Sequence, residues 1–316
     1  MVNPGWTNPE SPFHKGELAI QAHVGAKERI DQQGRRMIRA YLTDQHRQFF
    51  AQLSYVIIGA VDSSGSPWAS ILTGDPGFLS SPDDHTLRVC VLPAIGDPLA
   101  AILASSGGKT DIGVLGIELQ SRRRNRLNGV ISSVDASSFE IRVSQSFGNC
   151  PQYIQARQAY PAKTDPAVAQ AVENMVTFSP SAQAIISASD TFFIATAYQA
   201  KSAGAASGVD VSHRGGKPGF VQIEDNTLTI PDFAGNNHFN TLGNIVLNPR
   251  VGLLFIDFDG GDLLHLTGTA EIIWEGPEVE TYKGAQRLLR FHLTQGYWIK
   301  ERLSLRWSDP ELSPFL

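Results

Sequence analysis

The chain contains an altered second copy of itself. Residues 68–78 lie without gaps over residues 210–220, both ending in Pro-Gly-Phe (Pro76-Gly77-Phe78 and Pro218-Gly219-Phe220). The match continues in order. Thr86-Leu87 meets Thr227-Leu228, residues 113–118 meet 252–257, and Leu127-Asn128-Gly129 meets Leu266-Thr267-Gly268. A repeat of this length is far longer than a solenoid unit and implies two similar folded units. The differences between the copies carry the functional clue. Where the second has His213, Arg214 and Lys217, the first has Ile71, Leu72 and Asp75. The second copy is therefore expected to hold a polar site that the first lacks.

A length of 316 residues suffices for two domains, each with its own core. With 42% apolar and 18% charged residues the class is globular rather than disordered. The net charge of −5, without any basic block, disfavours nucleic-acid binding. Cys90 and Cys150 are the only cysteines, and two cysteines are expected to build neither a disulfide framework nor a four-ligand zinc site. The first residues, Met1-Val2-Asn3-Pro4-Gly5-Trp6, show no signal pattern. No apolar run approaches the roughly 20 residues of a membrane helix. The expectation is a cytoplasmic protein with no nucleic-acid or membrane partner.

Residues 1–50 read as a helical arm, with Ile30, Met37, Ile38 and Leu42 set among Glu28, Arg29, Arg35, Arg36 and Arg39 at helical spacing. The first unit runs over 51–160, with strands near 54–61, 86–92, 111–119, 125–134 and 138–146 and a helix at 97–104. Residues 62–67 read as a turn. Residues 161–187 form a linker with helical content. The second unit spans about 188–296, and its extension carries the domain to 316. Its strands fall near 191–198, 210–214, 219–223, 227–231, 250–257 and 263–274, with a helix near 239–247 that stops at Asn248-Pro249. Residues 289–293 alternate as a further strand. The fold class is mainly β with helices (α+β), built as tandem antiparallel barrels of about six strands each. No Gly-x-Gly-x-x-Gly follows a strand and no P-loop occurs, so the common nucleotide-binding α/β folds are unsupported.

Two polar segments of the second copy are candidates for chemistry. The first holds Ser212, His213, Arg214, Gly215, Gly216 and Lys217. Successive glycines let backbone N–H groups converge on an anion, and arginine offers a fork matched to phosphate. The second holds Ile230, Pro231, Asp232, Asn236, Asn237, Asn240 and Thr241, between a strand and a helix start, where an anion is favoured. The first copy has Gly96-Asp97-Pro98-Leu99-Ala100 there. Cys150 reads as a small buried hydrophobe, having no cationic neighbour in sequence. Arg122, Arg123, Arg124 and Arg126 read as a solvated strand edge, with contact to a phosphorylated ligand as the alternative. No histidine or carboxylate spacing suggests a metal.

At these residues the chain resembles the pyridoxamine 5'-phosphate oxidase family of FMN-binding split barrels. Residues 210–220, 227–232 and 235–255 carry the resemblance, which covers about 51–160 and 188–275. Residues 149–154, including Gln152 and Tyr153, resemble a further family element that approaches the flavin. The chain also resembles the amino-terminal module of proteins fused to a flavin reductase and a ferredoxin. The resemblance implies tandem split barrels with FMN between them, its phosphate held by basic and hydroxyl side chains. Better-characterised oxidases have Arg-Lys near the position of Asn240-Thr241, and Arg214 and Lys217 are read as compensating. The family's pyridoxamine-phosphate-recognition residues are not identified here, so the substrate is open.

The expectation is an FMN-binding oxidoreductase that takes a small-molecule substrate or electron donor, binds no more than one flavin per chain and forms a homodimer. A separate reductase is a candidate partner, because no dinucleotide fold or ferredoxin segment is recognised. No side chain is assigned as general acid or base. Two alternatives stay open: a non-enzymatic module for FMN, haem or another phosphorylated ligand, and a deazaflavin-dependent reductase.

Overall fold

The structure is a computed structural model that describes residues 5–105, 107, 109–163, 172–200, 204 and 206–316. The first four residues of the N-terminal reading, and residues 164–171 of the expected linker, lie outside the described residues. The first sheet comprises β1 (Tyr55–Val61), β2 (Pro67–Thr73), β3 (Leu79–Ser80), β4 (Thr86–Val89), β5 (Asp111–Glu118), β6 (Arg123–Val134) and β7 (Phe139–Gly148). After a short β8 (Ala159–Pro161), the second comprises β9 (Val172–Met175), β10 (Thr191–Tyr198), β11 (Gly208–Gly215), β12 (Gln222–Glu224), β13 (Thr227–Phe233), β14 (Arg250–Ile256), β15 (Leu263–Ile273) and β16 (Ala285–Ile299). A last strand, β17 (Leu305–Trp307), pairs with β8.

The two sheets have one topology. The first runs β2-β1-β5-β6-β7-β4-β3 and the second β11-β10-β14-β15-β16-β13-β12, with β9 added against β16. Every pairing is antiparallel. Both are curled split-barrel sheets.

Continuous apolar strands arise because their two faces are buried against different things. In β1, Val56, Ile58 and Ala60 enter the first barrel's core, while Tyr55 and Ile57 enter a cluster shared with the second barrel. In β10, Phe192 and Ile194 face the second core, and Phe193 and Ala195 face the shared cluster. The period of two is intact, but both faces are dry. The barrels approach through small residues. A Cβ on Gly113 of β5 would run into the Val209 carbonyl, and one on its repeat counterpart, Gly252 of β14, into the Pro67 carbonyl. These reciprocal contacts relate the barrels by a pseudo-two-fold arrangement.

Three helices precede the sheets: α1 (Lys15–His23), α2 (Lys27–Met37) and α3 (Asp44–Gln52). The others are α4 (Pro98–Ser105), α5 (Pro180–Ala188), α6 (Asn240–Leu247) and α7 (Pro277–Thr281). Trp6, Phe13, Ile30 and Ile38 bury the arm against Phe147 of β7. Helix α1 lies on α6 at backbone distance, because Gly16 and Gly243 leave no side chain between them. Among the described residues no helix is long and apolar enough to cross a membrane.

Three details differ from the sequence expectation. Each sheet path has seven strands rather than about six. Residue 67 opens β2, which the first-unit reading omitted, since a strand buried on both faces shows no polar alternation. Residues 172–175 of the expected linker are the strand β9, and its helical content is α5.

Candidate functional site

A cleft lies between the barrels on the side of α6. The space between its walls is about 920 Å³, open solvent at the mouth included. The second barrel supplies Ser212, His213, Arg214 and Gly215 from β11, the β13 end at Pro231 and Asp232, and the segment leading into α6. The first barrel supplies Arg124 and Arg126 from β6, and Asn149, Cys150, Gln152 and Tyr153 after β7. The pseudo-two-fold packing sets β6 beside β11.

The cleft is rich in cationic donors. Arg126 is buried and donates to Asp210 at 3.4 Å, to Asn240 at 3.0 Å and to Ser212 Oγ; its Nε has no partner. Ser212 Oγ in turn lies 3.0 Å from Thr241 Oγ1. Arg124 donates from Nε to the Cys150 carbonyl at 2.8 Å and from Nη1 to His213 Nδ1 at 3.3 Å. Arg214 pairs with Asp232 at 3.1 Å. Arg124 has no ion pair among the described residues. Burial, then the neighbouring Arg126 charge, brings its pKa down to about 9. An anion placed here would relieve that cost.

His213 has a defined state. A guanidinium only donates, so Nδ1 accepts and Nε2 carries the proton. Burial, then Arg124 and Arg214, hold the imidazole pKa well below its usual value, so the ring is neutral. The Nε2–H is buried without a partner. A buried unpaired donor destabilises the protein unless something accepts from it.

The cleft also concentrates backbone strain. Of six described non-glycine residues with positive φ, three line it: Tyr153 at 64°, Asn237 at 59° and Phe239 at 61°. Such conformations persist only where the surroundings enforce them, and they cluster at ligand sites. Tyr153 is held by its hydroxyl, which donates to the Ala234 carbonyl at 2.9 Å, and by ring contact with Phe233. A Cβ at Gly215 would strike the Tyr153 carbonyl, so only glycine lets the strand pass there.

Behind the cleft, a buried polar network reaches the arm. Asp210 accepts from Asn128 at 2.8 Å and from Asn244 at 3.2 Å. Asn244 meets His14 at 2.9 Å, and Asn240 donates to Glu17. Burial, then Asp210, push the Glu17 carboxyl pKa well above its usual value. The arm thus fixes the helix that carries Asn240 and Thr241.

The pseudo-symmetric position is closed by the protein itself. Ser70, the counterpart of Ser212, donates to Asp97 at 2.6 Å. The same Asp97 oxygen caps α4 by accepting from Leu99 N–H at 2.8 Å. A carboxylate already stands where a second anion would bind. The counterpart of Arg126 is His265, whose ring bonds the Ala69 carbonyl at 2.9 Å.

Of the residues singled out in the sequence, the cleft gathers Ser212, His213, Arg214, Gly215, Pro231, Asp232, Asn236, Asn237, Asn240, Thr241, Gln152 and Tyr153. Two stand apart. Lys217 is exposed beyond the strand end and does not line the cleft. Ile230 is 2% exposed and packs into the second core, one alternation out of phase with Pro231. Three readings of the first copy need correction. Arg124 and Arg126 are not a solvated edge, because β6 faces β11 across the interface. Cys150 lines the cleft with Arg124 beside it, so it has the cationic neighbour that the sequence did not reveal. The polar site is not confined to the second copy. The spacing Arg124-x-Arg126-x-Asn128, three polar residues on one strand face, was the available signal.

Fold and cleft define the class: a tandem split barrel with, among the described residues, a cationic and partly aromatic cleft lined by both barrels. Residues 178–306 match the family model described as pyridoxamine 5'-phosphate oxidase, and over that span the resemblance read from the sequence holds. No curated protein matches the chain. Solved structures with similarity include HupZ from Group A Streptococcus, 16% identical over 37% of this chain and 89% of that one, at a TM-score of 0.29. A FAD-binding protein from Mesorhizobium loti is 12% identical over 41% and 97%, at 0.29. HutZ, the heme storage protein from Vibrio cholerae, is 16% identical over 38% and 93%, at 0.26.

Proposed function

We propose that the inter-barrel cleft binds FMN and that the protein performs redox chemistry on a small molecule. The observation that carries this is the donor set in one cleft: Arg124, which has no ion pair among the described residues, and the orphan His213 Nε2–H, beside Ser212 of β11 and Thr241 at the start of α6. That set suits a phosphate monoester. The Tyr153 and Phe233 rings suit a flat aromatic body.

When bound, the flavin supplies hydride or electron transfer, and the protein supplies placement and electrostatics. In that arrangement Arg124 and His213 Nε2–H would hold the phosphate, while Arg126 positions Ser212 and Asn240. Arg214 shares the Asp232 carboxylate with Arg287, so its charge is only partly offset. The Tyr153 and Phe233 rings would shield one side of the flavin from water. No side chain is assigned a proton-transfer role.

The separate reductase belongs to the same proposal. A homodimer is not required for the site, because one chain already supplies both barrels. The free Cys90 and Cys150 suit a reducing, cytoplasmic setting.

The test is the visible spectrum of protein reconstituted with FMN, haem or a deazaflavin and freed of excess ligand. Retained FMN with a perturbed flavin spectrum supports the proposal. Retention of haem or deazaflavin but not FMN would overturn it. Anaerobic bleaching by NADH or NADPH alone would make a separate reductase unnecessary.

A further inference from the structure

Beside the cleft lies a second hollow, walled by the arm turn at Val24, Gly25 and Ala26, by Arg29 of α2, and by Arg287 of β16. Asn237 and Gln286 line both hollows, so the two spaces share a wall.

Arg287 is the informative residue. It is 4% exposed. Its guanidinium lies 5.2 Å from the Phe239 ring centre and 5.3 Å from that of Trp274. Nη2 donates to Gln286 at 2.7 Å, and Nε lies 3.5 Å from an Asp232 oxygen. Nη1 is buried and has no hydrogen-bond partner. The other Asp232 oxygen is taken by Arg214 at 3.1 Å. One carboxylate therefore serves two guanidinium groups, and the exposed Arg29 adds a third cation at the mouth. Two rings fix the plane of Arg287, which pre-organises its fork. A buried guanidinium with a free N–H, in a locally positive hollow that opens to solvent, is built to receive an oxoanion.

We propose that this hollow is an anion subsite for the substrate, which is a small molecule with a carboxylate or phosphate at one end. The anionic end docks on Arg287 and Arg29. The remainder passes the Asn237–Gln286 wall toward the main cleft. This deepens the flavin reading and rests on it for the word substrate; the anion site itself does not.

The test is calorimetric titration of FMN-saturated protein with inorganic phosphate and, separately, with acetate. The comparison is wild type against Arg287→Gln and Arg29→Glu, with FMN affinity measured in parallel. The same phosphate titration on FMN-free protein covers the case in which FMN fails to bind. There the main cleft keeps Arg124, Arg126 and His213 in all three proteins, so only the variant-dependent part reports the hollow.

The expected result is anion binding that weakens by about ten- to hundredfold in Arg287→Gln, the loss of one charge-assisted contact. Arg29→Glu weakens it in the same sense, FMN affinity is unchanged, and the preferred anion names the substrate's end group. Because Arg29 is exposed, its variant keeps the fold even where Arg287→Gln does not. Anion binding by the wild type that is indifferent to both substitutions overturns the proposal, as does no binding at all. Equal losses of FMN and anion affinity would also overturn it, by making Arg287 part of the flavin site. Failure of FMN to bind, with Arg287-dependent phosphate binding retained, refutes the flavin reading and leaves the subsite standing.

Discussion

Replacing Arg124 with alanine separates a ligand-binding role from a structural one. The side chain makes two hydrogen bonds, to the Cys150 carbonyl and to His213. It is also a poorly solvated cation beside Arg126 and Arg214, and burial with those charges lowers its pKa to about 9. In ligand-free protein the lost bonds and the relieved repulsion oppose each other. The expected net change is within about 1 kcal/mol, or about 1.5 °C in Tm for a chain of this size. In the complex nothing offsets the loss. A bond to a charged group is worth about 1.5–3 kcal/mol, so the FMN dissociation constant rises about ten- to hundredfold. Thermal unfolding reads both effects. FMN at about 100 times the wild-type Kd stabilises the wild type by about 2.7 kcal/mol, near 4 °C. At the same concentration the variant gains only about 0.4–1.4 kcal/mol, near 0.6–2 °C. An FMN-induced rise equal to the wild type's, from a similar ligand-free Tm, would refute the argument that the first barrel grips the phosphate.

Two further outcomes follow from packing and from buried histidines. Gly113→Ala and Gly252→Ala each place a methyl group against the other barrel's backbone. Each should lower stability by about 1–3 kcal/mol or more by denaturant unfolding, and an unchanged midpoint would show that the barrels are not packed this way. Burial, then Arg39 for His46 and Arg126 for His238, lowers both imidazole pKa values to about 4. These are depressed bases, so their stabilising share is complete above about pH 6.5 and falls as pH drops toward 4, by up to about 3 kcal/mol each. Both ring nitrogens of His238 lack partners, and the ring packs against Phe13 and Phe147. His238→Leu should therefore flatten the Tm profile between pH 6.5 and 4; an unchanged profile would sink the assignment.

The repeat made the architecture legible. It paired strands that share a register, such as Gly113 with Gly252, and it located His213, Arg214 and the α6 start as a polar departure from the first copy. What it hid was the interface. Comparing the copies compares each strand with its counterpart, whereas the cleft joins β11 of one to β6 of the other. Arg124 and Arg126 therefore looked like a solvated edge, although the pseudo-two-fold packing turns them inward. Ile230 and Pro231 show the converse. Adjacent strand residues point to opposite faces, so a segment named as one cluster divides between core and cleft. The strain at Tyr153 and Phe239 has no sequence signature, since neither is a glycine.

The account rests on a cleft that, among the described residues, is open in one pseudo-symmetric position and closed in the other by the Asp97 carboxylate on Ser70 and the α4 N-terminus. Its most direct test is the flavin stoichiometry of protein saturated with FMN, desalted, denatured and read by absorbance. The account predicts one FMN per chain, and still one for Leu72→Met, which alters only the closed copy. Two per chain would contradict the role given to Asp97, and none would contradict the flavin assignment of the cleft.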